Sequence, residues 1–269
     1  MSHYHYSRLD LVNAFKSIGL KQGDIVFSHS NIGYFGIPKG DRSVINAFET
    51  ILNAFFEVIG TEGTLIVPTF TYSFSQGQDF DPARTPSDCG IFTEMLRKLP
   101  NSYRSDDPNI SVAAIGKKAQ QVTENLPENA YAINGFFDRF YQEGGVICNL
   151  NFDAGSTFIH YVEKCLQIPY RFDKTFSGNI WKNGQPEKRN SIIWVRYLTE
   201  GTRTKFEPFD ELARSHNLYK TAQVGRGFVG AITAEDTFNL VKKTLPLRPW
   251  FLTEAEILKI EPDLKNAKQ

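Results

Sequence analysis

Two stretches of the chain, "DIVFSHS" at residues 24–30 and "GTLIVPTFTYS" at residues 63–73, decide the fold class. Each is a short apolar run that ends in polar, mostly hydroxyl-bearing side chains, which indicates a buried strand. Between them a glycine-spaced loop precedes a helical pattern from about Ser43 to Ile59, and Gly60 follows as a stop. A strand, loop, helix and strand in this order are typical of a βαβ unit, so we predict an α/β protein with a partly parallel sheet.

The rest of the chain extends this sheet and covers it with helices. Amphipathic patterns predict further helices at residues 7–18, 90–99, 156–167 and 233–245. Ser7 and Thr233 are the expected N-caps of the first and last of these helices. Apolar runs predict strands at residues 109–116 and 145–152, and hairpins at 176–205. We therefore predict a single domain over residues 1–269, an α/β fold with a mixed, partly parallel central sheet flanked by helices and an antiparallel extension in the C-terminal half.

Composition and charge restrict the class of protein. A chain of 269 residues, 41% of them apolar, is long enough to bury a substantial core. Thirty basic residues balance thirty acidic ones, so no global field attracts nucleic acid or an anionic membrane. The apolar runs are far shorter than the ~20 residues that cross a bilayer, and the start of the sequence has no signal-peptide pattern. Three scattered cysteines without CxxC spacing suit reduced thiols, so we expect a cytoplasmic protein without nucleic-acid or membrane partners.

Polar side chains follow both strands of the βαβ unit. Ser28, His29, Ser30 and Asn31 come at the end of the first strand, and Thr69, Thr71 and Tyr72 come at the end of the second. In a parallel sheet, ligands gather beyond the carboxyl ends of the strands. These side chains therefore form a candidate ring around a polar ligand.

Two glycine-rich segments resemble phosphate-binding motifs. "GRGFVG" at residues 225–230 satisfies GxGxxG, but only about forty residues follow it, too few for the rest of a dinucleotide-binding half. We interpret Gly225, Gly227 and Gly230 as positions of close packing or close backbone approach. "GIPKGDRS" fails the GxxxxGK[ST] pattern, so we reject a P-loop.

His160 and Glu163 lie three residues apart in a predicted helix and can share one face of it. The residues alone allow three interpretations: a general base with an orienting carboxylate, half of a metal site, or a structural histidine. A metal site would need further ligands, and neither HExxH nor a cysteine cluster is present. His3, His5 and His216 are weaker candidates for a base. In "RSDDPNIS", residues 104–111, the simplest interpretation is a turn in which Asp106 or Asp107 caps the local backbone.

Five segments in order resemble the aminoglycoside 3-N-acetyltransferase family. They are "GDIVFSHSNIGYFG" (23–36), "EGTLIVPTFTYSF" (62–74), "FDPARTPSDCGIFTEMLRKLPNSYRSDDPNIS" (80–111), "GSTFIHYVE" (155–163) and "VGRGFVG" (224–230). The resemblance runs over about residues 7–252. It implies a mixed α/β sheet, acetyl-coenzyme A as donor, an amine on a sugar or aminocyclitol as acceptor, and neither a metal nor a covalent acyl-enzyme.

The resemblance also implies roles for individual residues. The family's His-x-x-Glu falls on His160 and Glu163, which makes His160 the expected general base and Glu163 its expected partner; imidazole, with a pKa of about 6.5, suits the removal of an amine proton. Ser30, Thr69 and Ser111 match positions that line the donor cleft. We further assign His29, Asn31, Gly33 and Ser105 to the donor, Asp107 to catalysis, and an acceptor-binding role to four residues: Tyr72, Glu94, Arg171 and Lys174.

The chain departs from the family pattern at two positions. Asp107 stands where members that acetylate antibiotics usually have a histidine, and Ala154 stands where an aspartate commonly precedes the catalytic histidine, with Asp153 one residue earlier. After the histidine helix the chain is rich in Lys and Arg over residues 171–196, a pattern that fits an anionic acceptor or a solvated surface.

From these features we expect an acetyl-coenzyme A-dependent N-acetyltransferase of a nucleotide-linked amino sugar for surface polysaccharide synthesis. The alternatives are an aminoglycoside 3-N-acetyltransferase of antibiotic resistance, a transferase of a larger acyl group, and an inactive module that binds coenzyme A. The expected partner is a small amino-sugar molecule, and a homo-oligomer is possible.

Overall fold

The computed structural model describes residues 4–267, so His3 and the last two residues lie outside it. Its helices are α1 (Arg8–Ser17), α2 (Val44–Ile59), α3 (Ile91–Arg97), α4 (Ala119–Thr123), α5 (Phe136–Gln142), α6 (Phe158–Cys165), α7 (Glu207–Ser215), α8 (Ala234–Thr244) and α9 (Glu254–Leu258). Its strands are β1 (Ile25–Phe27), β2 (Thr64–Pro68), β3 (Tyr103–Arg104), β4 (Val112–Gly116), β5 (Val146–Leu150), β6 (Arg171–Lys182), β7 (Gln185–Arg196), β8 (Lys220–Val224) and β9 (Gly227–Thr233).

Side-chain caps set the starts of three helices. The Ser7 hydroxyl accepts the backbone N–H of Asp10, whose carboxylate accepts the N–H of Ser7, so α1 begins with a capping box. The hydroxyls of Ser43 and Thr233 cap α2 and α8 in the same way, through the N–H groups three residues on. The predicted caps at Ser7 and Thr233 are confirmed.

The central sheet is mixed, as predicted. Seven strands within the described residues take the order β3-β4-β2-β1-β5-β9-β8. At the centre, β1 runs parallel to both β2 and β5, with Val26 opposite Leu65 and Val146. The outer pairs, β2 with β4 and β5 with β9, are antiparallel. The prediction that the whole chain is one domain stays a prediction.

Alternation along the strands sends side chains into two separate cores. Ile25 and Phe27 pack on the face covered by α5, α6 and α8, whereas Val26 packs on the face covered by α1 and α2. The Phe27 ring lies 5.2 Å from that of Phe136 and 5.8 Å from that of Phe140, centroid to centroid, so α5 is fixed to the centre of the sheet. His29 follows on the face of Ile25 and Phe27, which is also the face that carries α6.

The antiparallel extension is present, but its bounds differ from those predicted. Strands β6 and β7 pair along their full length, from Arg171 opposite Arg196 to Lys182 opposite Gln185. They are joined at Asn183 and Gly184, whose φ values are 51° and 77°. An Asn-Gly pair with positive φ makes the two-residue turn that matches strand twist, and this single turn fixes the register of both strands. The predicted range of 176–205 was therefore wrong at both ends.

The glycines of the GxGxxG segment lie in and beside the β8–β9 hairpin. Gly225 occupies the turn with φ +55°, where a Cβ would lie 2.4 Å from the carbonyl oxygen of Phe35. A Cβ at Gly227 would lie 1.9 Å from Asn151 Oδ1. The segment leads from strand to strand rather than from strand to helix, so close packing, as predicted, accounts for these glycines.

Candidate active site

Helix α6 brings His160 and Glu163 into direct contact. The two side chains lie one turn apart on the same face, and His160 Nδ1 is 2.6 Å from Glu163 Oε2. The Glu163 side chain is fully buried, and that of His160 keeps 16% of its exposure. This contact indicates that the Nδ1–H group donates to the carboxylate, which leaves Nε2 as the nitrogen with a lone pair. The structure thus pairs the two residues, while their catalytic roles stay predictions.

The Glu163 carboxylate has two further partners, both from residues that follow α6. The Tyr170 hydroxyl donates to Oε1 at 2.7 Å, and Arg171 Nε lies 2.9 Å from Oε2. The arginine contact is an ion pair with poor hydrogen-bond alignment. The other guanidinium nitrogens donate to the Trp194 carbonyl at 3.1 Å and the Thr204 hydroxyl at 2.6 Å. These partners offset the cost of burying an ionised carboxylate.

Burial and charge keep His160 neutral. Burial lowers the pKa of His160 below its ordinary value, the Arg171 guanidinium lowers it further, and Glu163 acts in the opposite direction. Burial by itself raises the pKa of Glu163, but Arg171 and then His160 outweigh it and hold that pKa below its usual range. A neutral imidazole beside an ionised carboxylate is the state in which Nε2 can accept a proton.

Two aromatic rings enclose the imidazole. The Tyr131 ring meets that of His160 edge-on with centroids 6.3 Å apart, and the Phe206 ring lies 5.6 Å away. Burial raises the pKa of the Tyr131 hydroxyl, so that group stays protonated. On these two sides the imidazole is thus bordered by aromatic rings, one of which carries a hydroxyl.

A second polar cluster lies at the end of β1. His29 Nδ1 is 3.2 Å from Asn149 Oδ1, and the Asn149 amide donates to the carbonyls of Asp153 and Gly155, in the turn before α6. Burial lowers the pKa of His29 to about 4, against a smaller opposing effect of Asn149. Within the described chain, the buried His29 Nε2 and Ser30 Oγ atoms have no hydrogen-bond partner. Both can serve a ligand.

The loop after β1 leaves its main chain accessible at Gly33. The Asn31 N–H group donates to the Leu150 carbonyl at 2.9 Å, and Asn151 donates to the Asn31 carbonyl at 2.9 Å, so the start of this loop is tied to β5. Gly33 lies in a 3-10 turn at Ile32–Phe35, and a Cβ at Gly33 would meet nothing within 4 Å. This space fits a ligand that approaches the backbone.

Three residues assigned to the donor have their hydroxyls engaged inside the protein. The Thr69 and Ser111 hydroxyls are 3.0 Å apart, and Arg104 Nε lies 3.2 Å from each of them. The Ser105 hydroxyl accepts the N–H of Val112 at 3.0 Å. These bonds tie β2 and the loop before β4 to β4, so a role of Thr69, Ser105 and Ser111 in binding the donor stays a prediction.

Asp107 caps a turn. Its Oδ1 atom accepts the N–H groups of Asn109 at 2.8 Å and Ile110 at 2.9 Å, which confirms the simpler interpretation of this segment. Burial raises the pKa of Asp107 to about 6, although the two N–H groups oppose the rise. Burial is the main cause that raises the pKa values of Tyr72 and Tyr131, and the Asp107 charge adds a smaller effect in the same direction. The catalytic role stays a prediction.

The four residues assigned to acceptor binding do not form one cluster in the described part of the chain. Glu94 forms ion pairs on α3 with Arg97 and Lys98, and these lower its pKa to about 2 although burial acts to raise it. Lys174 Nζ lies 5.7 Å from the centre of the Phe176 ring. Tyr72 is 43% exposed. Arg171 does contact His160, because its Nη2 atom lies 3.4 Å from His160 Nε2.

Position 154 has an alanine where the family commonly has an aspartate, and nearby carboxylates hold this turn instead. Asp210, on α7, accepts the N–H group of Ala154 at 2.8 Å, and Asp153 Oδ1 accepts that of Gly155 at 2.8 Å. Carboxylates therefore hold the turn before α6 without a side chain at position 154. Neither contact reaches His160.

Sequence reasoning missed residues that surround the two clusters: Tyr131, Asn149, Tyr170, Thr204 and Phe206. For Asn149 a signal existed, since it is a polar residue inside the apolar strand "VICNLNF". The others carry no local pattern, because their positions near His160 arise from packing of distant segments.

Three further observations within residues 4–267 concern a cleft, metal ligands and membrane spans. A cleft of ≈ 990 Å³ is lined by residues 79, 81–85 and 181–184, and its lining contains none of the predicted site residues. Among residues 4–267, no group of three or more His, Cys, Asp or Glu side chains is placed to hold a metal. No helix in the same range is long and apolar enough to cross a membrane.

Comparison with known proteins defines the class to which this fold and site belong. Residues 28–246 match the model of the aminoglycoside 3-N-acetyltransferase family. Aminoglycoside N(3)-acetyltransferase IV of Salmonella sp is 24% identical over 87% of this chain and 85% of its own length. Solved structures share the fold: AAC-IIIb with CoASH has a TM-score of 0.78 at 20% identity, over 90% of this chain and 97% of that chain. AAC-VIa bound to sisomicin has a TM-score of 0.75 at 21% identity, over 90% of this chain and 98% of that chain.

The chain is thus an acetyl-coenzyme A-dependent N-acetyltransferase with a mixed α/β fold. More narrowly, it belongs to the aminoglycoside 3-N-acetyltransferase family, since the family model matches most of its length.

The expectation of a nucleotide-linked sugar acceptor for polysaccharide synthesis is wrong. The family match and the relatives, which are named for aminoglycosides, support the alternative instead. The basic stretch 171–196 that favoured phosphates is partly neutralised within the protein. Arg171 is paired with Glu163, and Lys182 with Asp106 at 2.6 Å.

Proposed function

We propose that the protein transfers the acetyl group of acetyl-coenzyme A to an amino group of an aminoglycoside, with His160 as the general base. The contact of 2.6 Å between His160 Nδ1 and Glu163 Oε2 carries this proposal, because a carboxylate there favours a proton on Nδ1 and leaves Nε2 with the lone pair that a base requires. The family match and the aminoglycoside names of the relatives support the choice of acceptor.

His160 has the properties that the reaction requires of a base. The attacking amine loses a proton, which Nε2 can accept directly or through a water. The imidazolium that forms is supported by the ionised Glu163, which also holds the ring in place. Tyr170 and Arg171 keep that carboxylate charged and oriented.

The end of β1 fits the donor. When bound, acetyl-coenzyme A supplies a thioester carbonyl that is open to attack. The buried Ser30 hydroxyl and His29 Nε2, which have no partner within the described chain, suit the polar groups of such a molecule. The Ser30 hydroxyl can donate to the carbonyl oxygen as negative charge develops there. The open space beside Gly33 supports binding of the pyrophosphate by backbone N–H groups of the surrounding loop.

The test is an assay of thiol release from acetyl-coenzyme A with a panel of aminoglycosides, together with the variant His160→Asn. We expect turnover of at least one aminoglycoside by the native protein. His160→Asn should lower kcat by about a hundred- to ten-thousand-fold, the usual contribution of a general base, with nearly unchanged affinity for coenzyme A.

A matched control is His216→Asn, since His216 lies beyond the end of α7 and its ring contacts the Leu212 carbonyl there. This variant should retain full kcat. Nearly full activity of a folded His160→Asn protein would contradict the assignment and move the search to His29 or Asp107. Absence of turnover with every aminoglycoside would refute the proposed acceptor.

A further inference from the structure

Arg171, the first residue of β6, lies against both members of the His160–Glu163 pair. Its Nε atom is 2.9 Å from Glu163 Oε2, and its Nη2 atom is 3.4 Å from His160 Nε2. We propose that Arg171 is a positioning residue that keeps His160 Nε2 without a proton between turnovers, by competing with the imidazole for the Glu163 carboxylate. The proposal deepens the proposed function, because it rests on His160 as the base.

The guanidinium is held so that it cannot turn away from the pair. Its Nη1 atom donates to the Trp194 carbonyl on β7, and its Nη2 atom donates to the Thr204 hydroxyl in the segment after β7. The Arg171 side chain is 7% exposed, so solvent screens its charge little. A fixed positive charge is thus built in beside the nitrogen that would carry the catalytic proton.

This arrangement changes the charge balance of the pair. With Glu163 alone, a buried histidine would tend to hold its proton in an ion pair, because an adjacent carboxylate stabilises imidazolium. A base that is already protonated cannot accept the proton of an amine. Burial already disfavours the imidazolium, and Arg171 adds to this effect because it satisfies the same carboxylate and repels a proton on Nε2.

The other groups around the imidazole do not provide this effect. On α6, Lys164 is directed to Asp173 and to the Trp194 ring, 2.5 Å and 4.2 Å away. From the remaining neighbouring segments come the hydroxyls of Tyr131 and Tyr170, which are neutral, and the apolar ring of Phe206. Among the described groups that face His160, Arg171 is the cation and Glu163 the anion.

The test compares Arg171→Gln, Arg171→Lys and native protein by the pH dependence of kcat/KM and by NMR titration of the His160 ring. Removal of the charge should move the acid limb of kcat/KM and the ring titration upward by about one pH unit, a tenfold loss of unprotonated base at a given pH below the limb. Activity should recover at high pH. Arg171→Lys, which keeps a cation, should restore most of the native profile. Arg171→Met offers a second removal of the charge if the glutamine variant does not fold.

The matched control is Arg196→Gln, because Arg196 lies directly opposite Arg171 in the β6–β7 hairpin and bonds to Tyr197 and Thr202 instead. It should leave the pH limb in place. If charge removal at Arg171 lowers activity equally at every pH, or leaves the ring titration unmoved, the proposal is refuted. The NMR titration decides this even if no aminoglycoside is acetylated, so failure of the proposed function is recognised separately.

Discussion

The two histidines on the α6 side of the sheet differ in chemistry because their partners differ. His29 shares its Nδ1 atom with the neutral amide of Asn149, whereas His160 shares its own with the ionised Glu163. An amide cannot balance the charge of an imidazolium as a carboxylate can. Burial lowers the pKa of His29 to about 4, and the Asn149 amide opposes this only weakly, so His29 fits a binding role better than that of a base.

At the residue scale, the buried Asp107 carboxyl should make the folding stability depend on pH. Burial raises its pKa to about 6, so between its usual value near 3.8 and pH 6 the folded protein binds more protons than the unfolded chain. Asp107 thus contributes stability at low pH that is lost as the pH rises through about 6. Asparagine keeps an oxygen for the N–H groups of Asn109 and Ile110 without the charge. Asp107→Asn should therefore gain in Tm relative to the native protein as the pH is raised from 4 to 8.

Thermal unfolding followed by circular dichroism at several pH values would measure this difference. Asp41→Asn is a control of opposite sign, because hydrogen bonds from the Ser43 hydroxyl and N–H lower the pKa of that exposed carboxyl. It should show no such gain at high pH. A Tm difference for Asp107→Asn that is constant from pH 4 to 8 would show that Asp107 does not titrate in this range.

At the scale of elements, the β8–β9 hairpin and the loop after β1 meet at Asn151. This residue donates to the Asn31 carbonyl and accepts the N–H group of Phe228 through its Oδ1 atom at 2.8 Å. Its φ of 61° aims the side chain at both elements. The candidate donor loop is therefore positioned by a hairpin from the far end of the chain.

Two glycine substitutions separate packing from binding at this junction. Gly227→Ala should destabilise the protein by about 1–3 kcal/mol, because its Cβ would overlap Asn151 Oδ1 at 1.9 Å and displace a partly buried hydrogen bond. Gly33→Ala should leave stability nearly unchanged, since its Cβ meets nothing, but should weaken binding of coenzyme A. Denaturant unfolding and calorimetry would measure the two effects. Unchanged affinity of Gly33→Ala would exclude a close approach of the donor to this loop.

At the scale of the whole molecule, the sheet gathers groups from distant parts of the chain on one face. The end of β1, strand β5, α6 and the first residue of β6 all contribute polar side chains there. The proposed donor cluster on β1 and the proposed base on α6 are separate sets of residues. Binding of the donor and the catalytic step should therefore be separable by mutation.

The stabilisation of the folded protein by acetyl-coenzyme A tests whether donor binding and catalysis depend on different residues. Acetyl-coenzyme A at a hundred times its Kd should raise the free energy of unfolding by about 2.7 kcal/mol, as it does for any ligand that binds the folded state alone. The same ligand concentration should stabilise His160→Asn equally and Ser30→Ala less. Differential scanning fluorimetry would follow both. Loss of the shift in His160→Asn would place His160 in the donor site.

The sequence by itself determined the features that depend on neighbours along the chain. The βαβ order, the caps at Ser7 and Thr233, and the antiparallel extension follow from local periodicity and turn chemistry. The pairing of His160 with Glu163 follows from helical spacing, because residues three apart share a face whatever surrounds the helix. The choice of a phosphate-bearing acceptor failed because counting cations does not show which of them are already paired.

The tertiary structure alone decided the environment of these residues. Asn149 reaches His29 from 120 positions along the chain, and Thr204 holds Arg171 from 33 positions away. Burial, and with it the direction in which each pKa moves, depends on what packs above a side chain, and no period along the chain encodes it. The lowered pKa values of His160 and Glu163, and the guanidinium that contacts both residues, are therefore products of the folded sheet.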